Sequence, residues 1–188
     1  MSRTSEEFLK YLDQMKQYDH VLTLLYWDMR TGTPSKGQDG HIKALTHFSM
    51  EQFKLERDPK VEEMLETLSQ PDEYHELEPQ IRFTVTRMKE ELEKRKRIPE
   101  QFYEAFVEEQ ALSESAWEEA KQADDYSIFA PHLEKMIQMT EQMTGYTDPG
   151  KDVYDVLVDK YERGMDTKTI DRLFEDLKAE LIPLVKEI

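Results

Sequence analysis

The 188-residue sequence predicts an all-α fold, for three reasons. Apolar residues recur at steps of three and four along most of the chain, which is the spacing of one helix face. Proline and glycine interrupt that pattern at intervals, where helices are expected to begin and end. No stretch alternates apolar and polar residues for long enough to predict a strand. We therefore expect a multi-helix array in which residues 1–188 form a single helical region.

The first predicted helix begins at Thr4 and ends at the Gly32-Thr33-Pro34 turn. Thr4 with Glu7 forms a capping box, and the residue before a proline disfavours helix. After a polar loop, Ser35 to Gly40, a second helix is predicted. The apolar faces of these two helices comprise Phe8, Tyr11, Leu12, Met15, Tyr18, Leu22, Leu25 and Met29, then Ile42, Leu45, Phe48, Met50 and Phe53.

Prolines mark the predicted helix boundaries in the middle of the chain. Asp58 before Pro59 predicts an N-cap followed by a short helix, because proline is favoured at the first helical position. Gln70-Pro71-Asp72 is interpreted as a break. Pro79 and Pro99 each open a further helix. The apolar positions of these three helices are Val61, Met64, Leu65 and Leu68; Ile81, Val85, Met88 and Leu92, which form an inner face; and Phe102, Phe106, Ala116, Trp117 and Ala120.

Three more helices are predicted after a turn at Asp124 to Ser127, with Ser127 as the cap. One ends near Gly145, a short one ends at Gly164, and the last begins at Asp166. No Gly or Asn cap and no polar tail follows the last helix, so we expect the chain to continue in a longer protein that covers this face. The face comprises Ile170, Leu173, Phe174, Leu177, Leu181, Leu184, Val185 and Ile188.

Composition excludes several classes of protein and partner. Acidic residues number 41 against 25 basic ones, which gives a net charge of −16. Such a chain repels nucleic acid phosphates and anionic membranes, so we expect neither as a partner. The absence of cysteine excludes disulfides and thiolate sites and favours a reducing compartment. Without a window near the roughly 18 to 20 apolar residues of a membrane span, we expect a cytoplasmic protein.

The five histidines do not form a metal-binding pattern. No two of them are separated by three or four residues, the spacing that places two ligands on one helix face. The segment His75-Glu76-Leu77-Glu78-Pro79 begins like HEXXH but has proline at the second histidine position. Adjacent carboxylates such as Glu108 and Glu109 are interpreted as a solvated face, because the acid excess makes such pairs common. We expect no catalytic residue, metal ligand or cofactor in this chain.

The most informative segment runs from Leu24 to Pro34, at the end of the first helix. Trp27 has two interpretations, as core packing or as part of a wall that faces a substrate. We favour packing, because buried tryptophan more often packs than binds a ligand. Asp28 or Arg30 is then expected to fix the turn by hydrogen bonds.

This segment is one of several that together resemble a known family. The matching segments are Leu25-Tyr26-Trp27-Asp28 with Thr33-Pro34; Ala116-Trp117-Glu118-Glu119-Ala120-Lys121; Phe129-Ala130-Pro131-His132-Leu133; Tyr154-Asp155-Val156-Leu157; and Leu173-Phe174 with Ile182-Pro183. In this order they resemble the N-terminal part of the carboxypeptidase Taq family, also called thermostable carboxypeptidases. The likeness runs over essentially the whole chain.

The resemblance implies a mostly helical, cytoplasmic homodimer that uses zinc to remove C-terminal residues from peptides. In that family the zinc ligands and the catalytic glutamate belong to an HEXXH helix and a downstream glutamate, none of which this chain contains. It also implies that N-terminal helices form a wall or lid over the active-site groove. The chain alone is then inactive, and its partners are the rest of the parent peptidase and a peptide substrate. Structural or groove-wall candidates are Tyr26, Trp27, Asp28, Trp117, Tyr154 and Asp155.

An alternative is a free-standing acidic helical module that binds partner proteins and has no enzymatic activity. An HEXXH element in the reading frame past residue 188 would favour the peptidase, and a stop codon would favour the module. If the helix from Asp166 has lost the segment that covers it, an exposed stripe of Leu177, Leu181 and Leu184 is expected to cause self-association.

Overall fold

The computed structural model describes residues 2–187, apart from the side chain of Ser35. No strand occurs among these residues, so the all-α prediction is confirmed. None of the described helices combines the length and apolar character that crossing a bilayer requires. The helices are α1 Arg3–Thr31, α2 Gln38–Glu56, α3 Pro59–Leu68, α4 Pro71–Glu76, α5 Pro79–Arg95, α6 Glu100–Ala123, α7 Tyr126–Thr147, α8 Val153–Tyr161 and α9 Thr167–Glu187.

Several predicted boundaries are confirmed in atomic detail. The Asp58 carboxylate accepts the Lys60 N–H at 2.9 Å and caps α3, while Pro59 occupies the first turn. Pro79 likewise begins α5. Gly164 follows α8 with φ of 81°, a backbone conformation that favours glycine. Proline, glycine and Asx caps therefore locate the ends of these helices correctly.

Two predicted caps are wrong by two residues. The hydroxyl oxygen of Ser2, not of Thr4, accepts an N–H from the first turn of α1, that of Ser5 at 3.3 Å. At α7 the Asp125 carboxylate accepts the Ser127 N–H at 2.9 Å, so Ser127 donates rather than caps. Ser2 has the extended backbone that a cap requires, whereas Thr4 lies within the helix.

Two segments predicted to be irregular contain helix. Pro71 begins α4 rather than breaking the chain, because proline is tolerated in the first turn of a helix. The expected loop from Ser35 to Gly40 is a 3-10 turn, Ser35–Gly37, followed directly by α2. More residues are therefore helical than the sequence predicted for these two polar segments.

The described residues divide into two compact units, one up to Met139 and one from Thr140 onward. Among the described residues of the first unit, side chains form a larger and a smaller buried cluster. A larger cluster joins the first half of α1 to α3 and α5, and a smaller one joins the end of α1 to α2 and α6. Their buried members are Phe8, Tyr11, Val61, Leu65, Leu68, Leu77, Val85 and Leu92, and then Met29, Ile42 and Ala111.

Hydrogen-bond, ion-pair and aromatic contacts connect the C-terminal end of α2 to α5 and α6 in the first unit. The guanidinium of Arg57 lies 4.9 Å from the ring centroid of Phe53, which itself stacks on Tyr103 at 4.0 Å. Arg57 also donates to the carbonyl of Ile98 at 3.3 Å, just before α6. Nearby, Arg95 of α5 pairs with Glu56 at 2.7 Å. These contacts fix the positions of the helix ends.

In the second unit, carboxylates close the turns between short elements. Asp152 caps α8 by accepting the Tyr154 N–H at 2.9 Å, and Asp155 accepts the Thr167 N–H at 2.8 Å. The last helix begins as predicted, with Asp166 accepting the Thr169 N–H at 2.8 Å. However, none of the residues of α9 is buried, so the described part of this chain does not cover its apolar face. Ile188 lies outside the described residues.

Candidate functional site

Asp28 organises the turn that ends α1, as predicted. Its backbone carbonyl accepts the N–H groups of Gly32 and Thr33, both at 2.9 Å. Its carboxylate accepts the Thr33 hydroxyl at 3.1 Å and lies 2.7 Å from Nε2 of His41 in α2. Asp28 therefore ties the turn to the helix on either side of it.

Gly32 leaves little space for a side chain at this turn. A Cβ on Gly32 would lie 3.0 Å from the Asp28 carboxylate oxygen Oδ1, closer than ordinary van der Waals contact. A larger residue at position 32 would require the Asp28 carboxylate to shift by a few tenths of an ångström.

Trp27 does not pack in the core, so the favoured interpretation of this residue is wrong. Its side chain is 68% exposed, and Leu24, one helical turn earlier, is 55% exposed. Met29 is buried in the same turn of α1. Two residues correspond to about 200° around a helix, so Met29 and Trp27 point to opposite sides. The surface of Leu24 and Trp27 is therefore open to contact by another segment or molecule.

Tyr26 and Trp117 come together around an arginine, in what we call the aromatic–ionic cluster. Its members are Tyr26, Arg30, Glu114, Trp117, Glu118 and Lys121. The Tyr26 hydroxyl donates to Glu114 Oε1 at 3.2 Å. Arg30 Nη1 lies 2.8 Å from Glu118, and its guanidinium carbon lies 6.0 Å from the Trp117 ring centroid. Lys121 lies 5.1 Å from the same ring.

Charge in this cluster affects the tyrosine. Partial burial raises the pKa of the Tyr26 hydroxyl, and the negative charge of Glu114 raises it further. Both effects keep the hydroxyl protonated, so it serves as a hydrogen-bond donor to Glu114. The cluster thus joins the end of α1 to α6 while leaving aromatic surface exposed.

The other two candidates, Tyr154 and Asp155, lie in the second unit. Tyr154 is exposed. Asp155 accepts the backbone N–H of Thr167 at the start of α9, so this carboxylate has a local structural role. Sequence reasoning placed both residues among the candidates without identifying this contact.

A buried carboxylate was missed. Glu109, predicted to lie on a solvated face, is only 3% exposed. It pairs with Lys135 and lies 2.8 Å from Nδ1 of His132, both on α7. Burial alone would raise the pKa of Glu109, but the hydrogen bonds from Lys135 and His132 outweigh it and hold the pKa below its usual range. The sequence feature that could have indicated this contact is the pair of basic side chains His132 and Lys135, which are three residues apart on α7.

The described residues do not fit a zinc site. Among them, no three histidine, aspartate or glutamate side chains come close enough together to hold a metal ion. The two histidine–carboxylate contacts, His41 with Asp28 and His132 with Glu109, are isolated pairs. Zinc generally requires about four ligands, three of them from protein in catalytic sites. We therefore derive no metal-dependent step from these residues.

Comparison with known proteins gives consistent results. The sequence profile of the family described as carboxypeptidase Taq (M32) metallopeptidase matches residues 7–188. Carboxypeptidase 1 of Bacillus subtilis is 32% identical over 97% of this chain, and thermostable carboxypeptidase 1 of Pyrococcus furiosus is 27% identical over 100% of this chain. The chain spans only 36% and 37% of these two relatives.

Solved structures agree with the sequence matches. The crystal structure of BsuCP superposes on 99% of the chain with a TM-score of 0.91 at 32% identity, and the chain covers 37% of it. A Pyrococcus furiosus carboxypeptidase superposes on 100% of the chain with a TM-score of 0.75 at 26% identity, again with 37% covered. A helical arrangement and a family profile that both extend over nearly the whole chain show that it belongs to the carboxypeptidase Taq (M32) metallopeptidase family.

Proposed function

We propose that this chain is the N-terminal helical region of a metallocarboxypeptidase that removes C-terminal residues from peptides. In the intact enzyme it forms a wall or lid of the substrate groove. The observation that carries the proposal is the extent of the match, since the family profile covers residues 7–188 and the relatives are nearly three times as long. The chain alone is expected to be inactive.

Two surfaces support a role as part of a larger enzyme. The helix α9 has an apolar face with no buried residue, and the surface of Leu24 and Trp27 is open. Large exposed apolar surfaces commonly mark sites of contact with other protein segments. We propose that the remainder of the parent enzyme covers α9 and that Trp27, with Tyr26 and Trp117, lies on the groove side.

The metal and the assembly are part of the same proposal. We propose zinc as the metal of the intact enzyme, where it would polarise the scissile carbonyl and activate water. We also propose a cytoplasmic homodimer, as the family resemblance implies. The lack of cysteine supports the compartment, because cytoplasmic proteins rarely depend on disulfides.

The coding sequence past residue 188 tests this proposal. We expect an in-frame HEXXH element there, and a protein expressed with that extension should release the C-terminal residue of a blocked dipeptide. A stop codon directly after residue 188 would contradict the proposal and favour the alternative, an acidic helical interaction module.

A further inference from the structure

Apolar residues form a stripe along α9, at steps of four, three, four and three residues. The residues of this heptad stripe are Ile170, Phe174, Leu177, Leu181 and Leu184. Steps of this kind average 3.5 residues, which is the repeat of a coiled-coil helix, and they keep the side chains in one narrow row. Residues 171–187 are all exposed, so the stripe is open along most of its length. Such a stripe fits another helix with the same apolar repeat.

The two edges of the heptad stripe differ in charge. Glu180 and Glu187 are seven residues apart, so they follow the same edge. No basic side chain among the described residues forms an ion pair with either of them. The corresponding positions of the other edge are Asp171, Lys178 and Val185, which together carry no net charge. One edge of the stripe is therefore acidic and the other is not.

A second copy of α9 leaves the acidic edge without a cation. In an antiparallel pair of identical helices like edges meet, so Glu180 faces the Glu180 of the second copy. In a parallel pair opposite edges meet, and Glu180 faces the Val185 of the second copy. Apolar contact alone can still join two copies. A helix with basic residues beside Glu180 and Glu187 adds ion pairs that a second copy lacks.

We propose that the heptad stripe of α9 binds an amphipathic helix from the remaining chain of the parent enzyme, with lysine or arginine side chains beside Glu180 and Glu187. This inference rests on the proposed function, since the relatives are nearly three times as long as this chain. The net charge of −16 also favours a basic surface on the segment that covers α9. Apolar contact supplies the affinity, and the charged edge sets the choice and orientation of the helix.

Two synthetic helical peptides test the proposal on the 188-residue chain by calorimetric titration at neutral pH. Both have leucine at the apolar heptad positions, and one has lysine and the other glutamate at both edges, so each repels its own copies. The lysine peptide should bind at least about tenfold tighter, because the glutamate peptide meets like charge at Glu180 and Glu187. Equal affinities, or no binding of the lysine peptide, would overturn the proposal.

A matched pair of double variants separates the acidic edge from the general negative charge of the chain. Glu180→Lys with Glu187→Lys should make the chain prefer the glutamate peptide, because the edge becomes basic. Glu134→Lys with Glu141→Lys makes the same change, also seven residues apart, at exposed positions of α7. It should change the affinity for the lysine peptide less than about threefold. Similar losses in both double variants would overturn the proposal.

Cysteine reactivity shows where the lysine peptide binds, since the chain has no cysteine of its own. The thiol of Leu177→Cys should react with a maleimide at least about tenfold more slowly when the peptide is bound, because only accessible thiols react readily. Ala179→Cys places the thiol about 200° further around the helix, and its rate should stay unchanged. Protection of both thiols, or of neither, would contradict binding at the stripe.

The same thiol separates this inference from the proposed function. In a protein expressed with the full extension past residue 188, with any further cysteine replaced by serine, Leu177→Cys should be protected without added peptide. Peptidase activity of that protein with a freely reactive Leu177→Cys would overturn the inference and leave the proposed function standing. A stop codon directly after residue 188 would overturn the proposed function, and with it the source of the helix.

Discussion

Helices α5 and α9 are both amphipathic, but their apolar faces have different surroundings. Val85 and Leu92 of α5 are buried in the larger cluster of the first unit. In α9 the corresponding residues Leu177, Leu181 and Leu184 are all between 45% and 54% exposed. The apolar periodicity therefore predicts which side of a helix is apolar, but it does not predict whether the same chain supplies the covering surface.

The largest expected difference concerns core truncation. Leu65→Ala should lower the free energy of unfolding by about 3 kcal/mol, because Leu65 is fully enclosed and its loss leaves a cavity. Leu177→Ala in α9 makes the same chemical change at an exposed position and should cost less than about 1 kcal/mol. Urea unfolding followed by circular dichroism measures both. Similar losses in the two variants would show that α9 is packed as well as α3.

The next effect tests the buried carboxylate of the first unit. Glu109→Gln should lower the free energy of unfolding by about 2 kcal/mol, because Lys135 and His132 lose a charged partner. Glu108→Gln, at the adjacent exposed position, should change it by less than about 0.5 kcal/mol. The same urea experiment applies, and a Glu108 effect as large as that of Glu109 would contradict the assigned burial.

The contribution of Glu109 should also depend on pH. Its pKa is lowered in the folded chain, so its stabilisation is complete above the unfolded-state pKa, about 4.3, and is lost as the pH falls through the folded-state pKa. The difference in stability between the wild type and Glu109→Gln should therefore shrink between pH 5 and pH 3. A difference that stays constant or grows over this range would contradict the paired, lowered-pKa state.

A charge placed on the apolar face of α9 should have the smallest effect on the free energy of unfolding. It should nevertheless change the association of the chain clearly. Leu181→Glu should abolish self-association of the chain, because it places a charge in the exposed apolar stripe. Ala179→Glu adds the same charge two residues away, on another side of the helix, and should leave association unchanged. Sedimentation velocity distinguishes the variants. A wild-type chain that stays monomeric and binds no hydrophobic dye would show that the exposed leucines of α9 do not cause self-association.

Much of the fold could be predicted because its signals are local. Proline and Asx residues such as Asp58 and Pro79 act within one turn of their own position, so they locate helix starts without knowledge of the tertiary structure. The errors at Ser2 and Asp125 are of the same local kind, since several adjacent residues could serve as the cap.

The candidate site could be predicted less well because it depends on contacts between distant residues. Asp28 contacts its own turn and was predicted, whereas the burial of Glu109 depends on α7, 23 residues further along the chain. Trp27 is the opposite case to Glu109, since it was predicted to be buried and is exposed. The packing of α1 places Met29 inward instead. Pairing across helices is set by their packing, which periodicity alone does not determine.

Zinc content and peptidase activity of the purified 188-residue chain test most directly whether it is a non-catalytic helical part of an M32 metallopeptidase. After incubation with zinc and removal of the excess, we predict well below one zinc atom per chain and no release of the C-terminal residue from a blocked dipeptide. Close to one zinc atom per chain, together with carboxypeptidase activity, would contradict this assignment.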